Sequence, residues 1–345
     1  MHMNLMRRGA LVLAAAGIAL GTAAYAGSAS ATTTVARSGS AAQGMKTLRV
    51  ALVAPSAVND LAFTQSMYSA LESLRVSAHL KIAVSSNEYV VSDAANILRE
   101  YASEGYNLVI AHGSQYGSTV EQLAKQFPKV SFAWGTAGAT FGLKNVFAYE
   151  AASNEGGYVQ GYMAALISRS KVLGICGPIA TGDAKLYVDG FAAGAKAAAK
   201  AGHFKVTSHI VYTQSFSDPT LMTSCAKTFV SDKADVLTGS SQSVVGAIGV
   251  AKADHLAWFG TQWSQASLAP HNVVSSQVYN WAPILKQMFA AIRGGTLGDA
   301  TYVIDLGNGG EKIQFNSVHK LSASVKAQGK KLVTEITNGD ITPPQ

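Results

Sequence analysis

Short apolar runs and amphipathic stretches alternate along most of this chain. The first run spans residues 47–54 and is apolar at nearly every position from Leu48 to Ala54, as in a strand covered on both faces. Similar runs lie at 79–85, 107–112 and 130–134. Between them, 62–75, 91–105 and 115–127 place their apolar residues at helical spacing. A short run at 145–149 and a helix rich in small residues, Glu155 to Ser168, lead into a second series. Its strands lie at 171–177, 205–212, 234–238, 254–260 and 272–279, and its helices at 184–201, 218–231 and 241–252. Residues 282–293 read as a helix closed by Gly294-Gly295. The runs 301–306 and 312–316 flank Gly307-Asn308-Gly309-Gly310, which predicts a hairpin. Parallel strands need helical crossovers, so the alternation predicts an α/β fold. Two such series predict two doubly wound parallel-sheet lobes.

Residues 1–31 break the pattern. Arg7-Arg8, an apolar segment from Gly9 to Gly21 and Ala-x-Ala sites ending at Ala26 and Ala31 read as a secretory signal peptide. The apolar segment is too short for a comfortable membrane span. The expectation is an exported protein, periplasmic or extracellular, with no cysteine after the apolar segment to carry a lipid. Residues 32–46 are small and polar and read as a flexible linker.

Composition narrows the picture further. With 345 residues, 48% hydrophobic and 14% charged, the chain can bury roughly two domains' worth of core. Its net charge of +7 is not gathered into a basic run, which argues against nucleic acid as a partner. Cys176 and Cys225 read either as one disulfide, which export permits, or as two buried thiols. Two cysteines cannot form a structural zinc cluster, and the histidines lack H-E-x-x-H spacing, so no metal and no cofactor are expected. There is no P-loop, and Gly113-Ser114-Gln115-Tyr116-Gly117 has the wrong spacing for a nucleophile elbow.

Candidate ligand-binding residues collect where strands give way to loops, the place where open parallel sheets bind ligands. The first series offers Asn59, Asp60, Phe63 and Thr64, then His112 and Gly113, then Trp134 and Gly135. The second offers Phe216, Ser241, Gln262, Trp263, Tyr279 and Trp281. Aromatic side chains at loop starts, mixed with amides and hydroxyls, suit a planar ligand with polar edges. The alternatives are ordinary ones: Asp60 or Asn59 as a helix cap with Phe63 packed beneath, His112 as a structural histidine, each Trp packed on its own helix.

Four motifs occur in order: Val58-Asn59-Asp60-Leu61-Ala62-Phe63-Thr64, Glu155-Gly156-Gly157-Tyr158-Val159-Gln160-Gly161-Tyr162, Asp189-Gly190-Phe191-Ala192-Ala193-Gly194-Ala195 and Ser215-Phe216-Ser217-Asp218-Pro219. Together they resemble the basic-membrane-protein (BMP) family of substrate-binding proteins for ABC importers, over residues 47–315. The resemblance implies a type I periplasmic-binding-protein fold, two lobes joined by a three-crossover hinge. With the strand count, it places lobe one at 47–151 plus 280–297, lobe two at 152–279 plus 298–316, and a C-terminal helix and tail at 317–345. It implies a purine-type ligand held between rings, Phe63 or a neighbour in lobe one and Phe216 in lobe two.

Two positions depart from the nucleoside binders of that family. Gln262 stands where they carry an Asp, and Tyr279, followed by Trp281, where they carry a Lys. Those charges suit ribose hydroxyls, and Tyr279 and Trp281 would crowd the ribose end of the cleft. The expectation is therefore a monomeric, non-enzymatic solute-binding protein that delivers a purine nucleobase-like heterocycle to an ABC permease. The alternatives are a nucleoside binder of the same family, a sensory ligand-binding module and a secreted α/β hydrolase.

Overall fold

The structure, a computed structural model, describes residues 45–345. The signal peptide and most of the linker lie outside the described residues. Among the described residues, twelve strands fall into two six-stranded sheets. The first contains β1 (Leu48–Val53), β2 (Leu80–Ser85), β3 (Leu108–His112), β4 (Ser131–Gly135), β5 (Val146–Ala151) and β11 (Ala300–Ile304), in the order β11-β5-β4-β3-β1-β2. The second contains β6 (Val172–Gly177), β7 (Thr207–Tyr212), β8 (Val236–Gly239), β9 (Ala257–Gln262), β10 (Val273–Tyr279) and β12 (Glu311–Phe315), in the order β12-β10-β9-β8-β6-β7.

Helices cover both faces of each sheet. On lobe one, α1 (Phe63–Leu74) and α8 (Ala282–Arg293) close one face, and α2 (Val91–Ser103) and α3 (Gly117–Gln126) the other. On lobe two, α4 (Ser153–Ile167), α5 (Gly182–Ala201) and α9 (Ala323–Thr337) oppose α6 (Pro219–Ser231) and α7 (Val245–Ala253). The central strands are therefore buried throughout, which is why they read as continuous apolar runs. Among the described residues, no helix is long and apolar enough to cross a membrane.

The motif glycines of α4 and α5 serve packing. A Cβ at Gly161 would land on the Phe191 carbonyl, and one at Gly194 on the Tyr158 carbonyl. Only glycine lets these two backbones approach so closely.

The expected hairpin is not formed. β11 pairs with β5 in the first sheet, parallel, while β12 pairs with β10 in the second, antiparallel. The strand at 300–304 therefore belongs with lobe one, not with the 298–316 segment assigned to lobe two. The turn between them is a crossing of the hinge, held by Asn308, whose Nδ2 donates to the Val303 carbonyl at 2.8 Å. A chain that leaves one sheet at its carboxyl edge and enters the facing edge of another must run antiparallel there. The other crossings run from β5 into α4 and from β10 into α8.

Candidate functional site

The turns at the carboxyl ends of both sheets line a narrow cleft. Lobe one contributes Phe63, Gly113, Ser114, Gln115 and Thr136, and lobe two contributes Asp183, Phe216, Gln242 and Gln262. The enclosed space is about 20 Å³, room for about one water, so the lobes stand closed on one another.

The aromatic part of the lobe-one wall is packed and bonded within the lobe. Phe63 opens α1, and its ring stacks on His112 with centroids 3.7 Å apart and planes 8° from parallel. The His112 ring is buried between the Tyr149 hydroxyl, 2.7 Å from Nδ1, and the Phe63 carbonyl, 3.1 Å from Nε2. Burial lowers its pKa to about 3, so the ring is neutral. Burial also holds Tyr149 protonated. The hydroxyl therefore donates to Nδ1, and Nε2–H donates to the carbonyl. His112 backs Phe63 and has no nitrogen left for a ligand.

Trp281 is also core. Its Nε1–H donates to Ser66 Oγ at 2.8 Å, and its ring meets Phe63, His112, Tyr149 and Tyr279 edge-on. It does not crowd the cleft, as the sequence reading had it, because it closes the lobe-one core at the hinge. Trp134 stacks on Phe141 and donates to the Gly113 carbonyl at 3.2 Å, which holds the Gly113 turn from behind. A Cβ at Gly135 would fall into the Tyr149 ring.

Asp60 is a cap. One carboxylate oxygen accepts from the N–H groups of Ala62 and Gln65, and the other from Thr64 N–H and Ser56 Oγ. Burial raises its pKa, and these bonds oppose the rise. Thr64 is buried and bonded to Ser56, while Asn59 is exposed. None of the three lines the cleft.

Lobe two is different. Phe216 sits in the turn after β7, with its N–H donating across the cleft to the Tyr89 hydroxyl at 3.3 Å. Its carbonyl accepts from Ser241 at 2.7 Å and Ser243 at 3.2 Å, so Ser241 fixes the turn. Asp218 caps α6 by accepting from Thr220 and Leu221 N–H. Cys176 of β6 and Cys225 of α6 form a disulfide, which fastens that helix to the sheet. Trp263 lines a separate groove beside the hinge, with Ser69 and Lys312.

Gln262 ends β9 with φ at 68°, a left-handed backbone unusual for a residue with a side chain. Its Nε2 donates to Asp183 at 3.3 Å, and its buried Oε1 has no hydrogen-bond partner among the described residues. The Oε1 of Gln242, in the loop after β8, is likewise buried and without a partner.

Asp183 escaped the sequence reading. It lies in the first turn of α5 and is buried. Its Oδ1 accepts from Thr136 of lobe one at 3.0 Å, and its Oδ2 from Gln262 and from the Tyr279 hydroxyl at 3.0 Å. Tyr279 thus reaches the site through Asp183, from the strand that enters the hinge. Glu150, at the end of β5, packs beside Asp183, and Glu311, at the start of β12, accepts from Gln277 at 2.7 Å. Burial raises the pKa of all three carboxyls, that of Glu150 to about 8. The sequence signal was Gly182-Asp183 opening a helix just past a strand end, which locally reads only as a helix start.

Two lobes of mostly parallel sheet whose carboxyl edges enclose a cleft define the periplasmic-binding-protein fold. The ABC transporter solute-binding protein of Aeropyrum pernix has this arrangement, with a TM-score of 0.74 at 16% identity, covering 86% of this chain and 94% of that one. That of Conexibacter woesei gives 0.70 at 22%, covering 86% and 98%. The chain belongs to the Bmp family, ABC transporter substrate-binding protein PnrA-like, whose model matches residues 47–343. It is 26% identical over 260 residues to a purine-binding protein of Brucella abortus, covering 75% of this chain and 72% of the relative. It is 24% identical over 330 residues to the ABC transporter nucleoside-binding protein BmpA of Lactococcus lactis, covering 89% and 92%.

Proposed function

We propose that the protein captures a purine nucleobase-like heterocycle outside the cytoplasmic membrane, as a monomer, and presents it to an ABC permease. The observation that carries this reading is the cleft itself. Rings from opposite lobes, Phe63 and Phe216, share it with Gln242 and Gln262, whose buried amide oxygens have no partner among the described residues. Rings supply stacking of about 0.5–1.5 kcal/mol per pair beyond burial, and the amides await polar ring edges. The names of the relatives from Brucella and Lactococcus support a purine or a nucleoside.

A base is favoured over its nucleoside. Asp183 is the one ionisable residue among those lining the cleft, and its oxygens already accept from three side chains. A buried ribose hydroxyl left without a partner costs about 1–3 kcal/mol. A hydrolase reading has less support. Ser114 is the serine of the lining, and both His112 nitrogens are engaged elsewhere. Calorimetric titration with adenine, guanine, hypoxanthine, xanthine and their nucleosides tests the proposal. Each base should bind tighter than its nucleoside. The reverse order for any pair would overturn the preference, and no binding at all would remove purines as the ligand.

A further inference from the structure

Gln262 has two ends that do different things. Gln262 lines the cleft; its amide nitrogen is held by Asp183, and its amide oxygen is buried with nothing to accept from among the described residues. Native proteins rarely leave such an atom without a partner, and a ligand or an ordered water supplies one where the protein does not. The side chain is buried and its backbone is held at φ 68°, so the amide has little freedom to look elsewhere. Which end faces the cleft is set by Asp183. Asp183 accepts from Thr136 at Oδ1 and from the Tyr279 hydroxyl and Gln262 at Oδ2; these three donors favour the ionised carboxylate against the effect of burial, and a carboxylate demands N–H from the amide. A rotated amide would set its oxygen against that carboxyl oxygen. Gln242 places a second such oxygen on the same lining from a different loop.

We infer that Asp183 is a positioning residue that sets ligand selectivity: by holding the nitrogen of Gln262 it turns that amide's oxygen to the cleft, so the ligand edge facing lobe two must carry N–H donors. The inference rests on the cleft being the site for a planar heterocycle, and it goes further by stating the polarity of the edge. Stacking on Phe63 and Phe216 accepts any aromatic ring of the right size. The amide oxygens reject a ring whose edge carries only acceptors or methyl groups, since they would then stay buried and unpaired.

The test uses matched pairs that keep the ring and its imidazole N–H and remove the donor of the six-membered ring, the edge taken to face lobe two: hypoxanthine against its O-methyl ether, and adenine against its N,N-dimethyl derivative. Calorimetry on the wild-type protein should show the donor-bearing member binding at least about tenfold tighter in each pair. In Asp183→Leu the amide of Gln262 loses its anchor, and the preference should collapse to within about threefold, whatever the change in overall affinity. Gln262→Met removes the oxygen altogether and should give the same collapse, which covers the case that Asp183→Leu does not fold. A uniform loss of affinity with the preference intact in both variants would show a merely structural role and overturn the inference. So would purine binding by the wild type with no preference within the pairs, which leaves the proposed ligand class standing. Failure of every ligand to bind the wild type would instead overturn the proposed ligand class and the inference with it.

Discussion

The two walls of the cleft are built on opposite terms. On lobe one the polar groups behind the aromatic wall are engaged within the lobe: Asp60 with backbone N–H groups, His112 with Tyr149 and the Phe63 carbonyl, Trp281 with Ser66. What it presents is a stiff aromatic face, Phe63 backed by His112. On lobe two the residues at the same level of the sheet leave acceptors open, at Gln242 and Gln262. On the proposed reading, lobe one sets the shape of the ligand and lobe two its edge chemistry. Such a division lets ligand preference change by substitution on lobe two without disturbing the packing of lobe one.

The largest effect that bears on this contrast should come from Phe63→Ala. The ring is buried against His112 and Trp281, so its loss should cost about 3 kcal/mol of stability along with ligand affinity. Chemical denaturation and calorimetry would check both. Unchanged stability would mean that the lobe-one wall is not built as one packed unit. Phe216→Ala should behave in the opposite way. Phe216 is only half-buried and its turn is held through its backbone, so affinity should fall about tenfold, or about 1.4 kcal/mol, with little change in melting temperature. A large loss of stability with affinity intact would put Phe216 in the core and break the contrast.

Much of this was legible in the sequence and some was not, for physical reasons. The alternation of elements shows because buried parallel strands and amphipathic helices each leave a periodic trace. Phe63 and Phe216 show because they sit one turn past a strand. The tryptophans mislead for a related reason. A ring at a strand end next to a hinge can face the ligand or the crossing, and residues far away decide which, Ser66 and Tyr149 for Trp281. Asp183 is hidden because its partners, Thr136, Gln262 and Tyr279, come from three other strand ends. The false hairpin has the same root, since a turn between two strands does not record that they join different sheets.

The smallest predicted effect concerns the carboxyls at the hinge. Burial first, and then the neighbouring Asp183, push the Glu150 carboxyl up from its ordinary 4.5 to about 8. Between those values the native state keeps a proton that the unfolded chain has released, so stability falls as pH rises from about 5 to 8. Asp183 and Glu311 shift in the same direction. Glu150→Gln keeps an acceptor oxygen for Ala151 N–H and removes the charge. It should flatten the profile and raise the melting temperature at pH 8 by about 2 °C. An unaltered slope would assign the effect to the lobe-two carboxyls alone.

The disulfide has a consequence for when the site becomes complete. Cys176 and Cys225 lie 49 residues apart, and the loop they close contains both Asp183 and Phe216. Closing a loop of that size removes roughly 4 kcal/mol of unfolded-chain entropy. In a reducing cytoplasm the pair stays as thiols, and the lobe-two half of the cleft folds without that constraint. In an oxidising compartment the link forms and the same segment becomes the more firmly held half. The chain thus carries a record of where it folded, written on the side of the cleft that holds the open acceptors.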